Sequence, residues 1–314
     1  MRILRLPADL PDADRGAHLS IGNFDGVHLG QRALLAAVLA TARAARRPAA
    51  ALTFEPHPPR ILRPESAAPL ITPLDEKLRQ LESTGLDLLL ILPFSRDLSL
   101  LTPRQFVERI LHRGLGVGAV HEGQNFRFGH RHAGDIAALE TLGGEFGFAV
   151  HVHPPVVVRG EVVSSSRIRE LVAAGRVERA ARLLGRCVSV RGAIARGQGL
   201  GRRLTVPTLN LQPYAELLPA RGVYVTETFL SGRGFPSVTN VGYRPTFGGT
   251  HLVVETHLLA FEEVESDDME IRFRFRLRDE SKFDSADELK RQIGRDVHRA
   301  QAYWRRLRPG LART

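Results

Sequence analysis

The chain has a single cysteine, Cys187, in 314 residues. That excludes an internal disulfide and any cysteine-based metal cluster. No run of apolar residues is long enough to cross a membrane. The first residues, MRILRLPADLPDADRG, hold three aspartates and no extended apolar stretch, so they do not read as a secretory signal. These absences point to a cytoplasmic protein. Lysine is scarce too: only Lys77, Lys282 and Lys290 among 44 basic residues, so the formal charge of +10 is carried almost wholly by arginine. A basic chain raises nucleic acid as a partner class. Here the arginines are dispersed among acids without a long basic run. Net charge alone argues for solubility and non-specific attraction. Anionic small molecules account for such a surface equally well, so the expected partners are small molecules, with neither nucleic acid nor membrane.

What is present is an ordinary globular composition, 43% apolar, in a chain long enough for two domains with a core each. Up to about residue 185, strand-like and helix-like stretches alternate. Ala17–Ile21, Ala49–Phe54, Val117–Val120 and Phe148–Val152 read as strands, and Leu86–Leu92 as a strand buried on both faces. Asp75–Ser83 reads as a helix. Thr102-Pro103-Arg104-Gln105 opens another with a capping box, and Ser165 or Ser166 caps a last helix pair ending at Leu184. Such alternation implies a parallel sheet flanked by helices. Beyond Gly185 the chain is strand-rich, with one closing helix capped by Ser285, which suggests a small antiparallel barrel. In Glu270–Leu277, Ile271, Phe273, Phe275 and Leu277 are expected on one face. Arg272, Arg274, Arg276 and Arg278 form a solvated opposite face. The expected division is 1–185 and 186–314.

The strongest local signal is Gly22-Asn23-Phe24-Asp25-Gly26-Val27-His28-Leu29-Gly30-Gln31, between an apolar strand and an amphipathic stretch. Glycines let a ligand approach the backbone, and the N-terminus of the following helix suits a phosphate. The glycine spacing is not the dinucleotide fingerprint, and no Lys-Ser/Thr follows as in a P-loop. The same residues would also serve an ordinary turn from strand to helix with a surface histidine.

Four segments of the first half fall together in order: this turn, Thr53-Phe54-Glu55-Pro56-His57-Pro58, Gly123-Gln124-Asn125-Phe126-Arg127-Phe128-Gly129, and Ser164-Ser165-Ser166-Arg167-Ile168-Arg169. They resemble the adenylyltransferase module of prokaryotic FAD synthetases, the bifunctional riboflavin kinase/FMN adenylyltransferases. The second half resembles the kinase module of the same family. It carries Gly197-Gln198-Gly199-Leu200-Gly201-Arg202, Pro207-Thr208-Leu209-Asn210, Gly222-Val223-Tyr224, Asn240 to Phe247, and Glu255-Thr256-His257-Leu258-Leu259.

The resemblance implies an α/β protein, with a Rossmann-like nucleotidyltransferase domain followed by a small antiparallel β-barrel kinase domain with a C-terminal helix. It implies ATP, riboflavin and FMN as partners and Mg²⁺ as cofactor. His28 and the helix amides would hold the ATP phosphates in a turn shaped by Gly22, Asn23, Asp25, Gly30 and Gln31. Ser164, Ser165 and Arg169 would close on them. His57 and Asn125 would line the flavin or nucleotide cleft. In the kinase half, Gly197, Gly199 and Gly201 would cradle phosphate, Thr208 and Asn210 would bind Mg²⁺, and Glu255 would be the general base.

From the residues alone, plainer roles remain: a helix cap for the serines, and turn positions for His57, Thr208 and Asn210. Glu255 alone would read as solvent-facing. The chain also departs from the family. Gln31 stands where a second histidine is usual, Ser166 where Thr is more common, and Ala260 to Ser266 replace Asp-Phe and a glycine turn. Gln31, a neutral donor, opens a second reading, a kinase with a weakened adenylyltransferase, and the basic charge a more remote third, a nucleic-acid-binding protein on a nucleotidyltransferase fold.

Overall fold

The computed structural model describes residues 1–6, 10–195, 208–246, 249–260 and 266–307, with the backbone alone at 243–246 and 249–252. The chain forms two compact units, Met1–Ser165 and Ser166–Thr314.

In the first unit the strands are β1 (Arg2–Arg5), β2 (His18–Ile21), β3 (Ala49–Glu55), β4 (Leu88–Pro93), β5 (Ala119–Gly123) and β6 (Ala149–His153). They make a six-stranded sheet in the order β1-β4-β3-β2-β5-β6, parallel throughout. The helices are α1 (Leu29–Ala45), α2 (Pro58–Leu62), α3 (Leu74–Glu82), α4 (Arg96–Ser99), α5 (Pro103–Phe106, continued as a π-helix over Val107–Leu115) and α6 (Ile136–Phe146). A short hairpin pairs β7 (Val157–Val158) with β8 (Glu161–Val162).

The strands lie where the apolar runs predict. β4 is buried over Leu88–Leu92 because it is covered on both faces. Leu88 and Leu90 join one core cluster with Leu19, Ile21, Val120 and Phe106, while Leu89 and Ile91 join the other with Leu35, Val38 and Ala51. The Thr102 capping box forms as expected: Gln105 N–H donates to Thr102 Oγ1 at 3.2 Å and Thr102 N–H to Gln105 Oε1 at 3.0 Å. Sequence reading missed β1, which pairs with β4, far along the chain, and α6, capped by Asp135.

The second unit begins at Ser166, within α7 (Ser165–Ala173), and continues with α8 (Val177–Leu184). Ala180, Leu183 and Leu184 of α8 are buried. The strands β9 (Val188–Ala195), β10 (Thr208–Pro213), β11 (Gly222–Leu230), β12 (Arg233–Thr246), β13 (Gly249–Leu258) and β14 (Asp268–Arg278) close into a barrel in the order β10-β13-β12-β11-β14-β9, and α9 (Ala286–Leu307) follows. All pairings are antiparallel. Closure leaves no sheet edge. Ser285 caps α9 through the Glu288 amide at 3.2 Å. The buried line of α9 is Asp296, Ala300 and Trp304.

β14 departs from the expected alternation. Val225 pairs with Phe275 but Thr226 with Phe273, so the register shifts there, and it shifts again between Val223 and Tyr224. An extra residue turns the side chains that follow it to the other face. Phe273 meets Tyr224 edge-on, while Phe275 packs on Tyr303 of α9. The arginines are not a plain solvated face. Arg274 pairs with buried Glu227, and Arg278 pairs with buried Asp296 at 2.8 Å. Arg272 lies over the Phe229 ring at 4.0 Å.

Candidate active sites

In the first unit the strand order reverses at β2, which pairs with β3 on one side and β5 on the other. In such sheets ligands bind beyond the carboxyl ends of the strands at this switch point. The turn from Gly22 to His28 occupies that position. Phe24 and Val27 have φ of 47° and 40°, a conformation costly for a β-branched residue. Both side chains are buried in the α1 core cluster, which holds the backbone in this shape. Asp25, 3% exposed, accepts from the Ile71 and Thr72 amides at 3.0 and 3.1 Å. Its carbonyl accepts the Ser165 hydroxyl at 2.8 Å. Asp25 therefore braces the turn, and Ser165 is brought to it. Helix α7 begins at Ser165, leaving Ser164 as the residue before it. Arg169 lies one turn into α7, within the second unit.

His28 is the N-cap of α1. Its Nδ1 accepts the Gln31 amide at 3.3 Å, and its own amide donates to Gln31 Oε1 at 3.0 Å. With Nδ1 an acceptor, the neutral ring carries its proton on Nε2. Gln31 thus completes a capping box, a role the comparison with a second histidine did not reveal. A Cβ on Gly30 would stand 3.3 Å from the His28 ring, so glycine lets the ring lie over the first turn.

Beside the turn is a cavity of about 520 Å³, lined by Ile21, Gly22 and Asn23, by Phe54, Phe94, Phe106, Phe126 and Phe128, and by Arg63, Arg127 and Arg131. That size suits a small-molecule ligand. Phe126 and Phe128 stack with centroids 5.6 Å apart, and Phe54 meets Phe94 edge-on at 5.8 Å. Asn125 is exposed at the start of the segment that lines this cavity. His57, 8% exposed, precedes Pro58 of the lining.

In the second unit the barrel aligns one row across three strands. Asn210 of β10 and Asn240 of β12 both pair with Glu255 of β13. Directly opposed residues share a face, so the two amides flank the carboxylate. Thr208, two residues from Asn210, is on the same face opposite His257. Glu280 reaches this row: a Cβ on Gly242 would collide with its carboxylate and lie 3.2 Å from the Asn240 amide nitrogen. Gly197, Gly199 and Gly201 lie outside the described residues.

Sequence reading quoted Asn240 within a motif but gave it no role, and strand register sets it opposite Glu255; it missed Glu280, whose carboxylate stands against Gly242. It also missed Lys77 of α3, 5% exposed, with Nζ 3.5 Å from the Asn23 carbonyl. Burial pushes its pKa down, while Glu55 and Asp25 push it up. Its one local signal was rarity, as one of three lysines in an arginine-rich chain, which the exposed Lys282 and Lys290 share. Among the described residues, no three His, Cys, Asp or Glu side chains are grouped to hold a metal, and no helix is long and apolar enough to cross a membrane.

A family model described as FAD synthetase matches residues 10–167, and one described as riboflavin kinase matches residues 184–304. The bifunctional riboflavin kinase/FMN adenylyltransferase of Escherichia coli K12 is 34% identical, over 98% of this chain and all of that one. The protein of the same description from Pseudomonas fluorescens is 37% identical over 96% of this chain and 97% of its own length. A solved structure described as a macrolide-efflux protein from Streptococcus pneumoniae superposes with a TM-score of 0.85 at 27% identity, covering 95% of this chain and 98% of that one.

Proposed function

The chain belongs to the bifunctional riboflavin kinase/FMN adenylyltransferase family, and we propose how the two activities divide along it. The enzyme phosphorylates riboflavin to FMN with ATP. It then transfers the adenylyl group of ATP to FMN, forming FAD and releasing pyrophosphate. Adenylyl transfer belongs to residues 1–185 and the kinase to 186–314, a division the extents of the two family models support.

The observation that carries the first assignment is an aromatic-walled cavity lined also by Ile21, Gly22 and Asn23 of the turn at the sheet's switch point. The flat isoalloxazine of FMN fits among phenylalanines, which favour offset and edge contacts with other rings. Its phosphate then reaches the turn, where an oxygen attacks the α-phosphorus of ATP and the bond to pyrophosphate breaks. His28 donates from Nε2 and α1 presents its first amides to the phosphates. Ser164 and Ser165 add donors, and Lys77 supports the turn with positive charge. His57 and Asn125 border the flavin.

In the kinase, Glu255 accepts the proton of the ribityl hydroxyl as that oxygen takes the γ-phosphoryl group. Asn210 and Asn240 hold the carboxylate in line, and the glycines at 197, 199 and 201 cradle phosphate. The donors near Glu255 are a hydroxyl, amides and carboxylates, the hard oxygen set that suits Mg²⁺. Thr208 and Asn210 would hold the ion together with ATP oxygens. When bound it neutralises charge on the transferring phosphates.

The test is a fragment of residues 186–314 supplied with riboflavin, ATP and Mg²⁺. It should make FMN and no FAD. A folded fragment without kinase activity refutes the division. Extending it back to Ser166 should raise its stability, because α8 then returns Ala180, Leu183 and Leu184 to buried positions.

A further inference from the structure

At the centre of the first sheet, β2 and β5 part. Their ladder holds only His18 with Ala119 and Leu19 with Val120. β2 pairs onward with β3 as far as Ile21–Leu52, and β5 with β6 as far as Gly123–His153. The Gly22 amide turns to the β3 side and bonds the Leu52 carbonyl at 2.9 Å. Successive amides point to opposite sides, so the Ile21 amide faces β5. In a continued ladder it would go to the His121 carbonyl, but the register stops one pair short. Glu122 Oε1 takes that amide at 2.6 Å, with the Ser20 hydroxyl 3.4 Å from the same oxygen.

Glu122 is 3% exposed. By alternation it shares a face of β5 with Val120, and that face meets the cluster of Leu19, Ile21 and Phe106. A carboxyl among such neighbours is costly unless it is hydrogen-bonded. The three residues beside its bond, Ile21, Gly22 and Asn23, all line the cavity, while Glu122 itself does not.

We propose that Glu122 is a positioning residue for adenylyl transfer: its side-chain oxygen replaces a strand carbonyl, ends the β2–β5 ladder, and fixes how Gly22 and Asn23 leave the sheet to meet FMN. The proposal rests on reading the cavity as the FMN site. Burial pushes the Glu122 carboxyl well above the usual range, the direction that favours its uncharged form as the acceptor of the Ile21 amide. What the turn needs is a neutral acceptor of this length. Glutamine supplies one, leucine supplies none, and aspartate is one methylene too short.

The test compares Glu122→Gln, Glu122→Leu and Glu122→Asp in the full-length enzyme, with FMN or riboflavin supplied separately. Glu122→Gln should keep the wild-type KM for FMN. Glu122→Leu should raise it about tenfold, the effect of orphaning one buried amide, with kinase kinetics unchanged. A role in stability alone would lower the active fraction and leave KM in place. If Glu122→Leu fails to fold, Glu122→Asp carries the same expectation. An unchanged FMN KM in folded Leu or Asp variants overturns the proposal, and so does a Gln variant as impaired as Leu. Phe126→Ala run alongside separates the two readings. If it leaves the FMN KM unmoved, the cavity assignment fails. If it raises KM while Glu122→Leu does not, the positioning role alone fails.

Discussion

Both units bury polar side chains, but of different kinds. The first buries groups that titrate. A seam on α1, β2, β5 and β6 joins His18 to Thr41 at 2.8 Å, Thr41 to His121 at 2.8 Å, and His121 to His153 at 3.0 Å. His151 stacks on His121 with centroids 4.4 Å apart. Glu122 and Lys77 are buried near the same fork and turn. The barrel unit buries two carboxylates, Glu227 and Asp296, each paired with an arginine, and beside them a network of hydroxyls. Thr226, Thr228, Ser237, Thr239 and Thr256 bond one another at 2.7 to 3.1 Å, each fully enclosed. Hydroxyls satisfy one another without changing charge between acid and alkali.

The difference follows from topology. An open sheet makes its cleft by letting two strands separate, and the amides freed there need side-chain partners. A closed barrel has no such fork. Its candidate site is assembled on one face from directly opposed residues, where register alone aligns Asn210, Glu255 and Asn240. Substitutions and pH should therefore strike the two activities separately.

The sharpest separation is expected from Glu255→Gln. Removing a general base costs on the order of 10²–10⁴ in rate. FMN production from riboflavin should collapse by that factor, while FAD formation from supplied FMN continues. Near-normal FMN production would move the base elsewhere.

Next in size is Asp296→Ala, which leaves Arg278 without the partner that ties β14 to α9. Breaking a buried pair of this kind costs about 3 kcal/mol. The single tryptophan, Trp304, lies in α9, so its fluorescence in urea reports on the barrel alone. The midpoint should fall while adenylyl transfer in the absence of urea is retained.

Acid should act in the opposite sense, on the first unit. Burial, then the neighbouring His151, His153 and His18, push the His121 pKa down to about 3. Burial and His151 also lower His18 and His153, with Arg47 adding to the effect at His18. These rings are neutral in the fold and take up protons on unfolding. The stability they contribute is present above the unfolded value near 6.5 and is lost as pH falls from there toward 3. At pH 5 the loss from His121 alone is about 2 kcal/mol. Glu122 acts from the alkaline side, because a raised carboxyl loses its contribution as pH rises through the folded value. In a Glu122→Gln background, where that opposing contribution is removed, FAD formation should fail before FMN formation between pH 7 and pH 5. Parallel decline of both would break the contrast.

The smallest effect is expected for Gln31→Ala. It removes one half of the α1 capping box, worth about 1 kcal/mol. The thermal midpoint of the first unit should drop by a few degrees and that of the barrel stay fixed, as calorimetry would resolve.

Much of this architecture was legible in the residues. Apolar runs placed five strands of the first sheet, Thr102 and Gln105 announced their capping box, and nine motifs in family order pointed to both chemistries. Those signals are short-range or survive as local patterns. Gln31 was legible as a departure, yet its bond to the His28 amide came only with the helix around it. The fate of the β14 arginines was hidden because a bulge changes which face a residue takes, and nothing local marks an extra residue in an alternating run.

By itself the sequence determined which stretches become strands or helices, the order of the two modules, and the turn that favours phosphate. These depend on neighbours a few residues apart, where backbone sterics and side-chain period decide. Tertiary structure decided the pairing of β1 with β4, the partners of Glu255, the approach of Lys77 to Asn23, and the capture of the Ile21 amide by Glu122. Each joins groups separated by fifteen residues or more. Strand register and helix packing set those distances through the burial of whole faces, a sum over the entire core that no local pattern contains.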